Sequence, residues 1–122
     1  MKKVFRVIIA GSRSFQNYDL LKARTDHFLS KVSQTHEIHI VCGGARGADL
    51  LGAQYAKERG YCVDSFPADW NKYGKSAGYR RNVQMAENAD AVIVFWDGTS
   101  RGSKHMIDIA KDYHLPCRVV KY

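Results

Sequence analysis

The chain contains only two prolines and no tract dominated by glycine and serine or by any single residue. Nothing in it marks an interdomain linker or a disordered tail. No apolar run approaches the ~20 residues that a bilayer-crossing helix needs, which excludes a helical membrane span. The opening MKKVFRVIIAGS places basic residues before an apolar run, but that run is too short for a signal sequence and stops at Gly11, so it reads as a strand. Cysteine is sparse and odd in number: Cys42, Cys62 and Cys117 lie far apart in strand-like segments. With no Cys-x-x-Cys pair and no Cys/His cluster along the chain, no metal site is expected, and three buried thiols in a reducing cytoplasm are. His27, His36, His39, His105 and His114 are scattered, and read as solvated or satisfied within the core. Gly-x-Gly-x-x-Gly is absent. Gly74-Lys75-Ser76 imitates the end of a P-loop, but Asp69 stands where the first glycine belongs and no strand leads into it. No cofactor is implied.

What is there is an ordinary globular composition, 45% hydrophobic and 25% charged, over 122 residues, which suits one domain spanning 1–122. Lys plus Arg number 19 against 12 Asp plus Glu, a formal charge of +7 that attracts anions without specifying which. The hydrophobic pattern alternates strand and helix. Near-continuous apolar runs at 4–10, 38–42, 61–66, 91–96 and 117–122 predict strands covered on both faces. Between them, helices are predicted over 19–33, capped by Asn17 or Asp19 with Leu21, Phe28 and Val32 in its stripe; from about 48 to 59, with Gly60 as its C-terminal stop; over 78–88; and over roughly 103–114. Five strands and four helices in alternation imply right-handed crossovers and a mainly parallel, Rossmann-like three-layer αβα sandwich.

Ligands of such sheets bind beyond the C-terminal ends of the strands. The residues there are Gly11-Ser12-Arg13 after the first strand, Gly43-Gly44-Ala45-Arg46-Gly47-Ala48-Asp49 after the second, Asp69-Trp70 after the third, and Asp97-Gly98-Thr99-Ser100-Arg101-Gly102-Ser103 after the fourth. Glycines let backbone N–H groups approach an anion, a following helix adds its positive dipole end, and arginine adds a bidentate fork. Two such turns on one edge suit a phosphorylated ligand. Each part also has a purely structural use, since Gly, Ser and Asp shape and cap strand-to-helix turns in any α/β protein.

Taken in order, G-S-R-x-F, G-G-A-R-G-A-D, D-W, A-G-x-x-R-N and F-W-D-G-x-S-x-G resemble the YspA/YpsA-related SLOG family across nearly the whole chain. That superfamily also contains the DNA-processing protein DprA and the LOG phosphoribohydrolases. The resemblance implies a Rossmann-like fold and a pocket for nucleotides or their derivatives, and it brings Arg81 and Asn82 into the expected site. The glutamate-bearing P-G-G-x-G-T-x-x-E motif of LOG enzymes is replaced here by Gly43 to Asp49. Three functions follow. The first is a nucleotide-ligand sensor. The second is an N-glycosidic hydrolase in which Asp49 or Asp97 activates water, although each is equally suited to capping its own turn. The third is a single-strand nucleic-acid binder using the aromatic and basic stretch DWNKYGKSAGYRRN. A homodimer accords with the family resemblance.

Overall fold

Strand β1 (Lys3–Gly11) explains why its sequence is apolar without alternation: Val7 and Ile9 enter the hydrophobic layer on one face of the sheet, Ile8 and Ala10 the layer on the other. Both faces are covered, so both side-chain rows exclude water. The computed structural model describes residues 3–122. The chain continues through α1 (Tyr18–Leu29), β2 (His36–Cys42), α2 (Ala48–Arg59), β3 (Cys62–Ser65), a single turn α3 (Trp70–Tyr73), α4 (Ala77–Glu87), β4 (Ala91–Trp96), α5 (Arg101–Asp112) and β5 (Cys117–Lys121). All neighbouring strands are parallel, in the order β3-β2-β1-β4-β5. The architecture is the expected Rossmann-like αβα sandwich. The chain runs outward from β1 to β3 and then returns to place β4 on the other side of β1, so the direction of strand order reverses between β1 and β4, where a crevice opens in folds of this kind.

The two layers are anchored differently. Tyr55 of α2 is fully buried among the residues of the first, and its hydroxyl donates to Asp26 Oδ1 of α1 at 2.6 Å. Asp26 also pairs with the guanidinium of Arg59, which ties the two helices of that face together. On the other face Met85 and Ala86 of α4 pack with Met106, Ile109 and Ala110 of α5 over Val92 and Val94.

The structure departs from the sequence reading at element ends. Helix α1 stops at Leu29, because the Ser30 hydroxyl donates back to the His27 carbonyl, and Val32 enters a separate 3-10 turn while still packing on the core. Asn17, not Asp19, is the cap, its Oδ1 accepting from Leu20 N at 3.0 Å. Helix α5 begins at Arg101 and ends at Asp112, shifted two residues toward the N-terminus. Ser100 caps it, and His114 at φ +55° turns the chain away. The segment read as a loop before α4 contains α3 and a 3-10 turn over Gly74–Ser76, the stretch that imitates a P-loop. Cys62 is exposed rather than buried and Cys117 is half-buried. The reason is position, since β3 and β5 are the two edges of the sheet.

Gly47 fixes the relation of the first two turns. It has φ +79°, and a Cβ there would lie 2.3 Å from the Ser12 carbonyl oxygen and 2.7 Å from that of Arg13. Gly44 has φ +76° with open space around it. Gly47→Ala therefore incurs both backbone strain and a backbone clash, and should lose more than about 2 kcal/mol in urea unfolding, whereas Gly44→Ala should lose about 1 kcal/mol. Equal losses would show that the turns do not depend on this contact.

Candidate ligand cleft at the sheet edge

The end of β1 delivers Ser12 into a tight position. Its N–H donates to the Phe95 carbonyl at 2.9 Å, its carbonyl accepts from Phe15 N at 3.1 Å and Ala48 N at 3.4 Å, and its Oγ accepts from Asp97 N at 3.1 Å. One buried serine thus joins the turns after β1, β2 and β4. Beyond it lies a cleft of about 450 Å³, lined by Gly11, Ser12, Arg13, Asp49, Arg81, Asn82, Asp97, Ser100, Gly102 and Ser103 over an apolar floor of Ala10, Met85 and Met106. A second cleft of about 350 Å³ shares Arg13, Ala45 and Arg81 with the first, and adds Gly43, Gly44, Arg46 and Trp70. Most residues predicted from sequence therefore converge, but on two adjoining clefts. Arg46 lies on the second.

Several predicted residues do other work. Asp69 lines neither cleft. Its Oδ1 accepts from Lys72 N at 3.0 Å and caps α3. Gly47 sits behind the site against the Ser12 carbonyl, and Gly98, at φ +91°, faces a separate surface hollow beside Trp96 and Lys104. Asp97 Oδ1 accepts from the amides of Thr99 and Ser100 at 2.8 Å each, and these bonds hold its carboxyl below the usual carboxylate range. The Ser100 and Ser103 hydroxyls bond each other at 3.1 Å within the first turn of α5. The sequence reading missed Ala10, Ser14, Ala45, Met85 and Met106 as lining residues of the first cleft, and Pro67 and Ala68 of the second. Met85 and Met106 carried a sequence signal as helix-stripe residues, but that signal indicates burial and not that the stripe ends in a cleft.

Arg81 and Asp49 form the polar centre. Arg81 Nη1 donates to the Gly43 carbonyl at 2.8 Å and its Nε to Asn82 Oδ1 at 3.2 Å. The guanidinium lies so close over Gly43 that a Cβ there would meet Nη1 at 2.2 Å. Asn82, itself buried, passes the chain of bonds to His105 Nδ1 at 3.2 Å. Asp49 is buried in the first turn of α2 and its Oδ2 accepts from Gly43 N at 3.2 Å. Burial pushes its carboxyl up to about 6, against the pull of the Arg81 charge, the Ala45 and Gly43 amides and Arg13. Arg13 and Arg46 are exposed, and among the described residues no hydrogen bond or ion pair holds either guanidinium. The cleft thus presents an exposed, unpaired cation at its rim, a fixed one at its centre, and the N-terminal turns of α2 and α5.

The YspA, cpYpsA-related SLOG family model matches residues 5–73, more than half of the chain. The chain belongs to this family. The match covers the first three strands and the β1 and β2 turns; the parts of the cleft contributed by α4, β4 and α5 lie beyond it. The Gene 61 protein of Mycobacterium phage D29 is 33% identical over 121 residues, covering 91% of this chain and 92% of that one, so this SLOG domain has a relative over almost its full length. Among solved structures it is similar to DNA processing protein A from Helicobacter pylori, whose single-stranded DNA binding mode has been described. The TM-score is 0.65 at 22% identity, over 94% of this chain and 64% of that one. It is also similar to TM1055, with a TM-score of 0.62 at 22% identity over 96% of this chain and 72% of that one. This SLOG chain therefore spans slightly under two thirds of the Helicobacter protein, and at these identities the likeness shows the shared fold.

Because the Asp49 carboxyl in the folded protein titrates at about 6, above the ordinary 3.8, the native state keeps a proton that the unfolded chain releases. Its contribution to stability is fully present below about pH 3.8, declines as pH rises to about 6, and stays lower above. Asp49→Asn should remove this decline. The difference in unfolding free energy between wild type and variant should change by on the order of 3 kcal/mol between pH 3.5 and 7. A flat difference would show that the carboxylate is not desolvated.

Proposed function

We propose that the chain binds a nucleotide or a related phosphorylated ligand in the cleft beyond β1 and β4, and acts as a ligand sensor. The observation that carries this reading is the convergence of two helix N-terminal turns, those of α2 and α5, with Arg13 and Arg81 on one cleft of about 450 Å³. Unsatisfied helix donors and arginine forks both favour an anion with several acceptor oxygens. Arg81 is preorganised by the Gly43 carbonyl and Asn82, so it holds its place before the ligand arrives. Arg13 at the rim closes on the anion from solvent. In the second cleft, the exposed ring of Trp70 offers a face for a base attached to that phosphate.

Sensing is favoured over hydrolysis because both candidate acids are already engaged. Asp97 accepts from two amides of its own turn and Asp49 from the Gly43 amide, so each carboxylate already serves its own turn and neither is set aside to activate water or protonate a leaving group. An N-glycosidic reaction would have to use Asp49, whose raised pKa suits an acid but whose position also suits stabilising the turn.

Thermal unfolding against nucleotides, nucleotide sugars, dinucleotides and ADP-ribose derivatives tests this reading. Saturation at a hundredfold excess over Kd should stabilise by about 2.7 kcal/mol, a rise of roughly ten degrees. Arg13→Ala should abolish that rise and leave the unliganded Tm unchanged, while Arg46→Ala should weaken it less. A ligand response undiminished in Arg13→Ala would remove the cleft rim from the site.

A second reading has its own observation. Trp70, Tyr73 and Tyr79 are exposed, Arg80 stacks over the Tyr73 ring at 4.5 Å and Lys72 lies 5.2 Å from it. Aromatic faces beside cations suit single-stranded nucleic acid, which the Helicobacter relative binds. Oligonucleotide binding on this surface should fall steeply with salt and lose about 1–3 kcal/mol in Trp70→Ala. Salt-insensitive binding, or binding unaffected by that change, would exclude it.

A further inference from the structure

Away from the cleft, below the point where Val41 enters the core, one face of β2 and β3 carries polar and partly exposed side chains. Strand pairing sets its membership. His39 pairs in register with Cys62 on one side and with Arg6 on the other, Glu37 lies two residues before His39 on the same face, and Asp64 two residues after Cys62. Five polar side chains therefore point the same way from three adjacent strands, about 13 Å along β2 from the glycine turn at Gly43. Spacing along the chain predicts no metal site here, because the members are brought together by strand register.

One ligand atom each from Glu37, His39 and Cys62 lies within 4.8 Å of the other two. The imidazole is already oriented. Its Nδ1 faces the Asp64 carboxylate at 3.2 Å and 3.3 Å, and Asp64 is in turn held by Arg6 Nε at 3.3 Å. The remaining nitrogen, Nε2, faces the Glu37 carboxylate at 3.9 Å. A carboxylate behind the distal ring nitrogen is the arrangement that fixes a metal-binding histidine in the tautomer with Nε2 free to coordinate. Bond lengths of about 2.0–2.3 Å in a tetrahedral site bring ligand atoms to about 3.3–3.7 Å from one another. The observed group needs to contract by only about 1 Å, which rotation of the exposed Glu37 and Cys62 side chains can supply.

We propose that Glu37, His39 and Cys62 form a binding site for a divalent transition metal, zinc in the first instance, with Asp64 as the positioning residue for His39. A thiolate, an imidazole and a carboxylate suit zinc and exclude magnesium and calcium, which take oxygen ligands. The fourth position is open to solvent and takes water. Bound metal links the edge strand β3 to β2 and stabilises the folded state by mass action.

The test is calorimetric titration of the full chain with zinc under a phosphine reductant, paired with cobalt(II) spectra. One equivalent should bind, zinc should raise the Tm, and cobalt should show a thiolate charge-transfer band. Cys62→Ser, at an exposed position that leaves the core intact, should abolish the band and weaken zinc binding by at least about 100-fold, whereas Cys117→Ser should change neither. Asp64→Asn should weaken binding about 10- to 100-fold and leave the cobalt–thiolate band in place at saturation. Failure of the wild type to bind one equivalent, or a Cys62→Ser protein that binds equally well, overturns the site. Undiminished affinity in Asp64→Asn overturns the orienting role.

Discussion

The contact between Gly47 and the Ser12 carbonyl is the constraint on which the ligand edge depends. The turns after β1 and β2 approach so closely that no side chain fits between them, and Ser12 then reaches across to the Asp97 amide with its hydroxyl. Three strand-to-helix turns are thereby locked together through one buried residue. Because they are locked, the helices that follow are aimed: α2 starts at Ala48 under the Ser12 carbonyl, and α5 starts after the turn that Asp97 closes on itself. The cleft is the space left where the turns diverge, at the reversal of strand order between β1 and β4.

The electrostatics of that cleft follow from the same crowding. Arg81 can lie over Gly43 because there is no Cβ there, and its guanidinium then compensates the nearby buried Asp49. Asp49 carries its own desolvation cost, seen in its raised titration, and contributes in return a hydrogen bond to the Gly43 amide that shapes the glycine turn. A buried acid, a fixed arginine and an asparagine bonded to His105 make a rigid interior. Arg13 and Arg46 outside it are held by nothing among the described residues. A fixed centre with unpaired arginines at its rim is the arrangement on which the proposed recognition of an anion rests.

Much of this was legible in the sequence. Uninterrupted apolar strands, alternating with helical stripes, give a parallel sheet because only double coverage makes such runs favourable. The glycine and arginine turns identify the edge, because each has a backbone reason to stand at a strand end. The reading was less secure wherever one residue type has two uses. Asp69 and Asp97 look alike as turn acids, and both cap their turns through the same carboxylate-to-amide bond, yet only Asp97 reaches the cleft. Cys62 sits in a strand as apolar as that of Cys42, but whether a thiol is buried depends on which strands become edges.

The sequence by itself determined the alternation of the five strands with the four long helices, the layer architecture and the set of turns gathered at one edge of the sheet, since these follow from short-range periodicity and backbone preference. Tertiary structure alone decided the division of the turn residues between two clefts, the placing of Arg81 over Gly43, and the meeting of Glu37, His39 and Cys62 on one face of the sheet. Those depend on register and on contacts between residues far apart in the chain, which local patterns of hydrophobicity and turn chemistry do not encode.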